Sequence, residues 1–240
     1  MTATESAVAV VTGGGSGIGA ACAAALSACG THCVLVGRRE DRLRDTASGL
    51  ASPATWLAAD LTEPGEPGRV VAETLAVQGR IDVMVHSAGV FEKAPASEVT
   101  PGHWQRVLDV NLSAVMALTR AGWEALSDSG GQIVLISSIA AVHPFEGNAA
   151  YAASKGGMNA LGEVLRLEGR GCGIRVITLC PAQIDTELWD GKAPDAVRAR
   201  MMPADGVGEL VASLVGADRR IDIGPVVIRP VHDPWVEPGP

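Results

Sequence analysis

One residue pair in this 240-residue chain has the types and spacing for proton chemistry. Tyr151 is the only tyrosine, and Lys155, one of three lysines with Lys93 and Lys192, follows it by four positions. On a helix that spacing puts both on one face. An ammonium beside a phenol favours tyrosinate and lowers the phenol pKa from about 10, so the hydroxyl is expected to exchange a proton near neutral pH. A second candidate is Thr12-Gly13-Gly14-Gly15-Ser16-Gly17-Ile18-Gly19, which follows an apolar run. Glycines there let the backbone turn tightly and bring main-chain N–H groups at a helix N-terminus within reach of a pyrophosphate. Glycine turns are common in α/β proteins, so the strand–loop–helix setting carries the nucleotide reading. A phosphate-loop NTPase would need Gly-Lys-Ser/Thr, and this loop contains no lysine.

Dinucleotide folds place an acidic residue at the end of the second strand, where it binds a ribose 2′-hydroxyl. Here that position reads Gly37-Arg38-Arg39. A carboxylate repels a 2′-phosphate, whereas guanidinium groups pair with one, so Arg38 and Arg39 favour NADP(H) over NAD(H). The competing reading is two solvated arginines that open a helix. Asp60, at the end of the third strand, is placed to meet the adenine edge or to cap a turn.

These residues need a scaffold, and the pattern supplies one. Short β-branched runs alternate with Ala/Leu-rich stretches. Strands are expected at 7–11, 32–36, 55–59, 81–85, 133–136, 174–179 and 226–228. Helices are expected at 18–28, 40–50, 69–77, 103–126 and 151–169. Near-continuous apolar strands alternating with helices predict a single-domain, Rossmann-like, doubly wound α/β fold with a seven-stranded, mostly parallel sheet covered by helices on both faces. One domain is expected over 1–240, with 231–240 an extended, Pro-rich tail. Composition fits: 47% hydrophobic and 19% charged residues give a large core. The net charge of −8 argues against nucleic acid or an anionic membrane as partner. Residues 6–37 carry no Asp, Glu, Lys or Arg, but seven glycines interrupt them, which favours a buried core segment over a membrane span. The start lacks the basic region of a secretory signal. Five cysteines without a C-x-x-C pair point to reduced, buried thiols in a cytoplasmic protein, and no Cys/His/Asp cluster has metal-ligand spacing.

The T-G-x-x-x-G-x-G loop, Asn111, Ser138 and Tyr151-Ala-Ala-Ser-Lys155, in that order, resemble the short-chain dehydrogenase/reductase family, compact group, from Val8 to about Pro230. The resemblance implies interconversion of a ketone or aldehyde with an alcohol. In that reading Tyr151 is the general acid/base, and Lys155 tunes it and holds the nicotinamide ribose. Ser138, thirteen residues before Tyr151, polarises the carbonyl, and Asn111 bends a helix and holds a proton-relay water. Family spacing selects Ser138 over Ser137. The implied cofactor set is Gly13, Gly15, Ser16, Gly17, Ile18, Gly19, Arg38, Arg39, Asp60, Leu61, Ser87, Ala88, Gly89, Tyr151, Lys155, Pro181, Ile184 and Thr186. Two departures stand out. His86-Ser87 replaces the usual Asn-Asn, with His86 expected to be a satisfied strand-end histidine, and Pro181-Ala182 replaces Pro-Gly.

Substrate contacts are expected from 90–95, 140–148 and a lid over 187–202, with Ser138, Ala140, Asn148, Leu188 and Trp189 as candidates. The partner is a small-molecule carbonyl or alcohol. A homotetramer built from the helices that carry Asn111 and Tyr151 is implied, with a dimer as the other possibility. The end of the chain is similar to serine or 3-hydroxyacid dehydrogenases, while 3-oxoacyl thioester reductases and biosynthetic ketoreductases fit equally. An NAD(H)-dependent alcohol dehydrogenase of the same family and a non-catalytic NADP-binding sensor remain alternatives.

Overall fold

The structure is a computed structural model that describes residues 6–236. Its centre is a seven-stranded sheet, and every neighbouring pair of strands is parallel. The strands are β1 (Val8–Thr12), β2 (His32–Gly37), β3 (Ala54–Ala58), β4 (Val83–His86), β5 (Gln132–Ile136), β6 (Arg175–Pro181) and β9 (Val226–Ile228). Their order is β3-β2-β1-β4-β5-β6-β9. β1, β4, β5 and β6 are buried along their whole length, because helices cover both faces and β-branched side chains pack well on a two-sided pleat. A two-stranded pair, β7 (Ile184–Asp185) with β8 (Met202–Pro203), closes the lid segment.

Two apolar layers flank the sheet. One holds Val10, Met84, Leu118, Leu135 and Met158, the other Val11, Leu26, Leu35, Val134 and Leu179. Each fully buried aliphatic side chain contributes about 1.5–3 kcal/mol of transfer free energy. The helices are α1 (Gly17–Ala28), α2 (Glu40–Ser48), α3 (Glu66–Gln78), α4 (Pro101–Leu108), α5 (Ala114–Ser129), α6 (Ala149–Gly169), α7 (Asp195–Arg198) and α8 (Ala204–Val215). The small-residue composition of α1 has a packing reason. A Cβ on Gly208 of α8 would sit 2.3 Å from the Ala21 carbonyl, so the two helices meet backbone to backbone. Among the described residues no helix is long and apolar enough to cross a membrane.

Three expectations need correction. The helix expected over 103–126 is α4 and α5 joined through a π-helical turn, Asp109–Ser113, that contains Asn111. The extra residue in a π turn re-aims backbone groups, a change that hydrophobic periodicity does not register. α8 lies in a stretch with no helix assigned from the sequence. The segment from 231 is not a free extended tail: the described part turns back, with Pro234 buried and its carbonyl accepting from Arg200 Nε at 2.9 Å. Residues 237–240 of that tail lie outside the described residues.

β1 separates β2, on one side, from β4, on the other. The chain reverses direction across the sheet there, and the crevice beyond the carboxyl ends of strands at such a switch point is where α/β folds bind ligands.

Candidate active site

The glycine loop fills that crevice between β1 and α1. Gly13 has φ +66°, and a Cβ on it would lie 3.0 Å from the Ala88 backbone at the end of β4. A Cβ on Gly19 would lie 2.3 Å from the Gly13 carbonyl, so both positions require glycine for the turn to close. Thr12 braces the other side: its Oγ1 accepts from the N–H groups of Ser87 and Ala88 at 3.0 and 3.1 Å. Ser16, ahead of α1, makes no side-chain cap, and the first turn of α1 carries no acidic residue. The opening N–H groups of the helix are thus left for an anion.

The adenosine end of the crevice is lined by Gly13, Gly15, Ser16, Arg38, Asp60 and Leu61, among others. The Arg38 side chain is 69% exposed, with Asp60 Oδ2 at 4.0 Å. Asp60 Oδ1 accepts from the Thr62 N–H at 3.0 Å and from the Thr62 hydroxyl at 2.7 Å, which holds its carboxyl below the usual range. It therefore caps a turn while bordering the crevice. Arg39 reaches Ser16 Oγ at 3.3 Å and Glu187 at 3.1 Å.

The opposite end opens into a cavity of about 560 Å³. Ser138, Tyr151 and Lys155 border it, with Ser87, Ala88, Gly89, Pro181, Ile184 and Thr186. Ser138 leaves β5 in extended conformation, and its Oγ accepts from the Ala140 N–H at 3.1 Å, so its own proton is free to donate. Ser137 instead donates to the Lys155 carbonyl at 3.3 Å, inside the protein. Lys155 Nζ donates to the Ile136 carbonyl at 2.8 Å, and burial lowers its pKa from 10.5 to about 8. Its ammonium stands 5.9 Å from the centre of the Tyr151 ring.

For Tyr151 the expected direction is reversed. Burial raises the phenol pKa, and the hydrogen bond with Ser138 only partly opposes this. The ammonium stands 5.9 Å from the ring centre and is held by Ile136, and Phe91 packs edge-on to the Tyr151 ring at 4.9 Å. Burial thus strengthens the phenol's hold on its proton.

Asn111 is fully buried in the π turn. Its Oδ1 accepts from Val90 N–H at 2.8 Å, and its Nδ2 donates to the Val90 carbonyl at 3.0 Å and to Ser154 Oγ at 3.1 Å. Ser154 in turn donates to the Tyr151 carbonyl at 2.7 Å. One amide thus ties the loop after β4 to the helix that carries Tyr151 and Lys155. A Cβ on Gly89 would come 3.2 Å from Asn111 Oδ1 and 3.8 Å from Lys155 Nζ. His86 is buried against α5, its Nε2 3.0 Å from Thr119 Oγ1, as expected of a satisfied histidine.

Two substrate candidates are not at the cavity wall. Asn148 is buried, with Oδ1 accepting from the Phe145 N–H at 3.3 Å, so it shapes the loop beside the cavity. Ala140 is buried behind Ser138. Leu188 and Trp189 do border the cavity. Sequence reasoning passed over Thr12, Ser154 and Trp235. Trp235, from the far end of the chain, packs 6.2 Å from Trp189, and no local pattern marks it.

The comparisons fit this geometry. An uncharacterized oxidoreductase of Staphylococcus epidermidis is 31% identical over 96% of this chain and 100% of its own length. D-threitol dehydrogenase of Mycolicibacterium smegmatis is 36% identical over 80% of this chain and 76% of its own. A Beutenbergia cavernae protein whose crystal structure holds NADP at low occupancy superposes with a TM-score of 0.86, at 31% identity, over 94% of this chain and 96% of that one. The short chain dehydrogenase model matches residues 7–196. With a match of that length and relatives at this identity, the chain belongs to the short chain dehydrogenase family, a family of oxidoreductases.

Proposed function

We infer that the protein is an NADP(H)-dependent oxidoreductase that interconverts a ketone or aldehyde with the corresponding alcohol. The observation that carries this is the placement of Ser138, Tyr151 and Lys155 around one cavity continuous with the glycine-loop crevice. The crevice suits a dinucleotide: an uncapped helix N-terminus, two glycines whose Cβ positions are filled by backbone, and no acidic side chain directly after β2. Arg38 and Arg39 favour the 2′-phosphorylated cofactor, and the Beutenbergia relative was crystallised with NADP.

When bound, the nicotinamide supplies or accepts the hydride. The chain's own groups handle the proton. Tyr151, whose proton affinity burial raises, gives its proton to the carbonyl oxygen during reduction. Ser138 donates a hydrogen bond to the same oxygen and stabilises the developing alkoxide. Lys155, anchored on Ile136, stands with its ammonium 5.9 Å from the centre of the Tyr151 ring and would hold the nicotinamide ribose of a bound cofactor. Asn111 keeps the Val90 loop and α6 in register and supports proton relay. The chain acts as one cofactor-binding domain. We extend the reading to a homotetramer through α5 and α6, which expose Met116, Val164 and Leu167.

Oxidation of a polyol is a second reading, favoured by the 36% identity with D-threitol dehydrogenase. Replacing Tyr151→Phe tests the assignment. Turnover of a carbonyl panel should fall by about 10²–10⁴-fold while NADPH binding persists. Retained turnover in the variant would overturn it, and a wild-type protein that binds NADPH without any turnover would identify a sensor.

A further inference from the structure

The aromatic residues of this chain are scarce and unevenly placed. Both phenylalanines, the single tyrosine and two of the five tryptophans border the cavity above Ser138. They form a connected wall. Phe91 lies 4.9 Å from Tyr151, 6.2 Å from Phe145 and 5.9 Å from Trp189, and Trp235 continues from Trp189 at 6.2 Å. Such a wall offers ring faces and edges to a flat guest.

Charge is equally uneven. In a chain of net charge −8, all three lysines gather here. Lys155 forms the floor. Lys192 stands 5.4 Å over the Phe91 ring and donates to the carbonyls of Phe91 and Leu188. Lys93 stands 5.3 Å over the Phe145 ring on the lip, with no carboxylate within salt-bridge distance among the described residues. Among the described residues the only acidic one bordering the cavity, Glu187, is tied to Arg39 and Arg42. Ammonium groups already occupy ring faces, so a cationic guest is repelled and an anionic one is drawn in.

Resting on the oxidoreductase reading above, we propose that the preferred substrate is an aromatic ketone, or its alcohol, that carries a carboxylate. Its ring packs along Phe91, Phe145 and the Trp189–Trp235 pair, and its carboxylate meets Lys93. Reduction adds a hydride from the reduced nicotinamide to the carbonyl carbon and the Tyr151 proton to oxygen, giving the secondary alcohol and oxidised cofactor.

The test compares 4-acetylbenzoate, methyl 4-acetylbenzoate, 4-oxopentanoate and, in the oxidative direction, D-threitol. It measures kcat/KM on the full chain and binding of 4-acetylbenzoate by tryptophan quenching. The acid should exceed its ester and the aliphatic acid by about tenfold each, as one charged contact or one stacked ring contributes. Lys93→Met should erase the acid-over-ester preference through KM, and Lys93→Arg should keep it. Trp235→Ala should erase the preference for aryl over aliphatic acid. Equal rates for aryl and aliphatic acids, or faster turnover of D-threitol, would overturn the proposal while leaving the oxidoreductase reading intact. Quenching by 4-acetylbenzoate but no turnover of any compound would uphold the pocket and refute the reaction.

Discussion

Glu187 and Arg39 form an ion pair at 3.1 Å that joins the lid after β7 to the anion end of the crevice. The same carboxylate reaches Arg42 at 3.4 Å, and Thr186 next to it packs where a Cβ on Gly17 would lie 3.1 Å from its methyl group. An anion that binds Arg39 must therefore compete with a carboxylate already there. Each residue of the pair is about half exposed, which limits the pair to about 0.2–1 kcal/mol. Glu187→Gln is expected to tighten NADPH binding by about two- to fivefold and NADH binding less, in parallel fluorescence titrations. Weaker NADPH binding in the variant would mean that Glu187 organises Arg39 instead of competing for it.

Arg38 is the freer of the two arginines, with only Asp60 at 4.0 Å. Arg38→Ala should weaken NADPH binding more than NADH binding. A charged hydrogen bond contributes about 1.5–3 kcal/mol, and the exposure of Arg38 places the effect at the lower end. An equal loss for both cofactors would contradict the 2′-phosphate assignment.

His86 stands where the family usually has asparagine, and the structure gives that difference a consequence. Burial lowers the His86 pKa from 6.5 to about 4. Between those values the unfolded chain binds the proton and the folded chain does not, so the contribution is present above pH 6.5 and lost as pH falls toward 4. Its full size is about 3 kcal/mol. His86→Asn should flatten this part of the profile, so that the stability difference between wild type and variant changes between pH 6.5 and 4 in denaturant titrations. A constant difference would show that His86 does not titrate on unfolding.

Lys155 gives the same sign in a higher window. Its pKa falls from 10.5 to about 8 on burial, so the cost of holding the charge inside is fully present below pH 8 and is relieved as pH rises. Relative to Lys155→Met, which carries no such charge, wild-type stability should increase from pH 8 to 10 by up to about 3 kcal/mol. Pairwise comparison cancels the other titrating groups. Parallel curves for the two proteins would place the ammonium in a better solvated site than the Ile136 contact indicates.

The sequence by itself determined the parts whose signals are local. Period and composition marked the seven strands of the parallel sheet, most plainly β1, β4, β5 and β6, because a strand buried on both faces must be apolar along its length. The glycine loop and the Tyr151–Lys155 spacing were legible because backbone geometry ties each motif to one shape. Tertiary structure decided what depends on groups distant in the chain. Whether Tyr151 gains or loses proton affinity turned on its burial in the folded chain, which the hydrogen bond with Ser138 only partly opposes. Asn148 carried the right chemistry for a substrate contact, but the fold buries it beside the cavity with its Oδ1 accepting from the Phe145 N–H and its Nδ2 without a partner among the described residues. The aromatic wall required Trp235 to fold back onto Trp189, and Arg39 met its partner on a lid far along the chain. Side-chain contacts across such separations leave no periodicity to read, since each partner is set only when the sheet brings its loops to one edge.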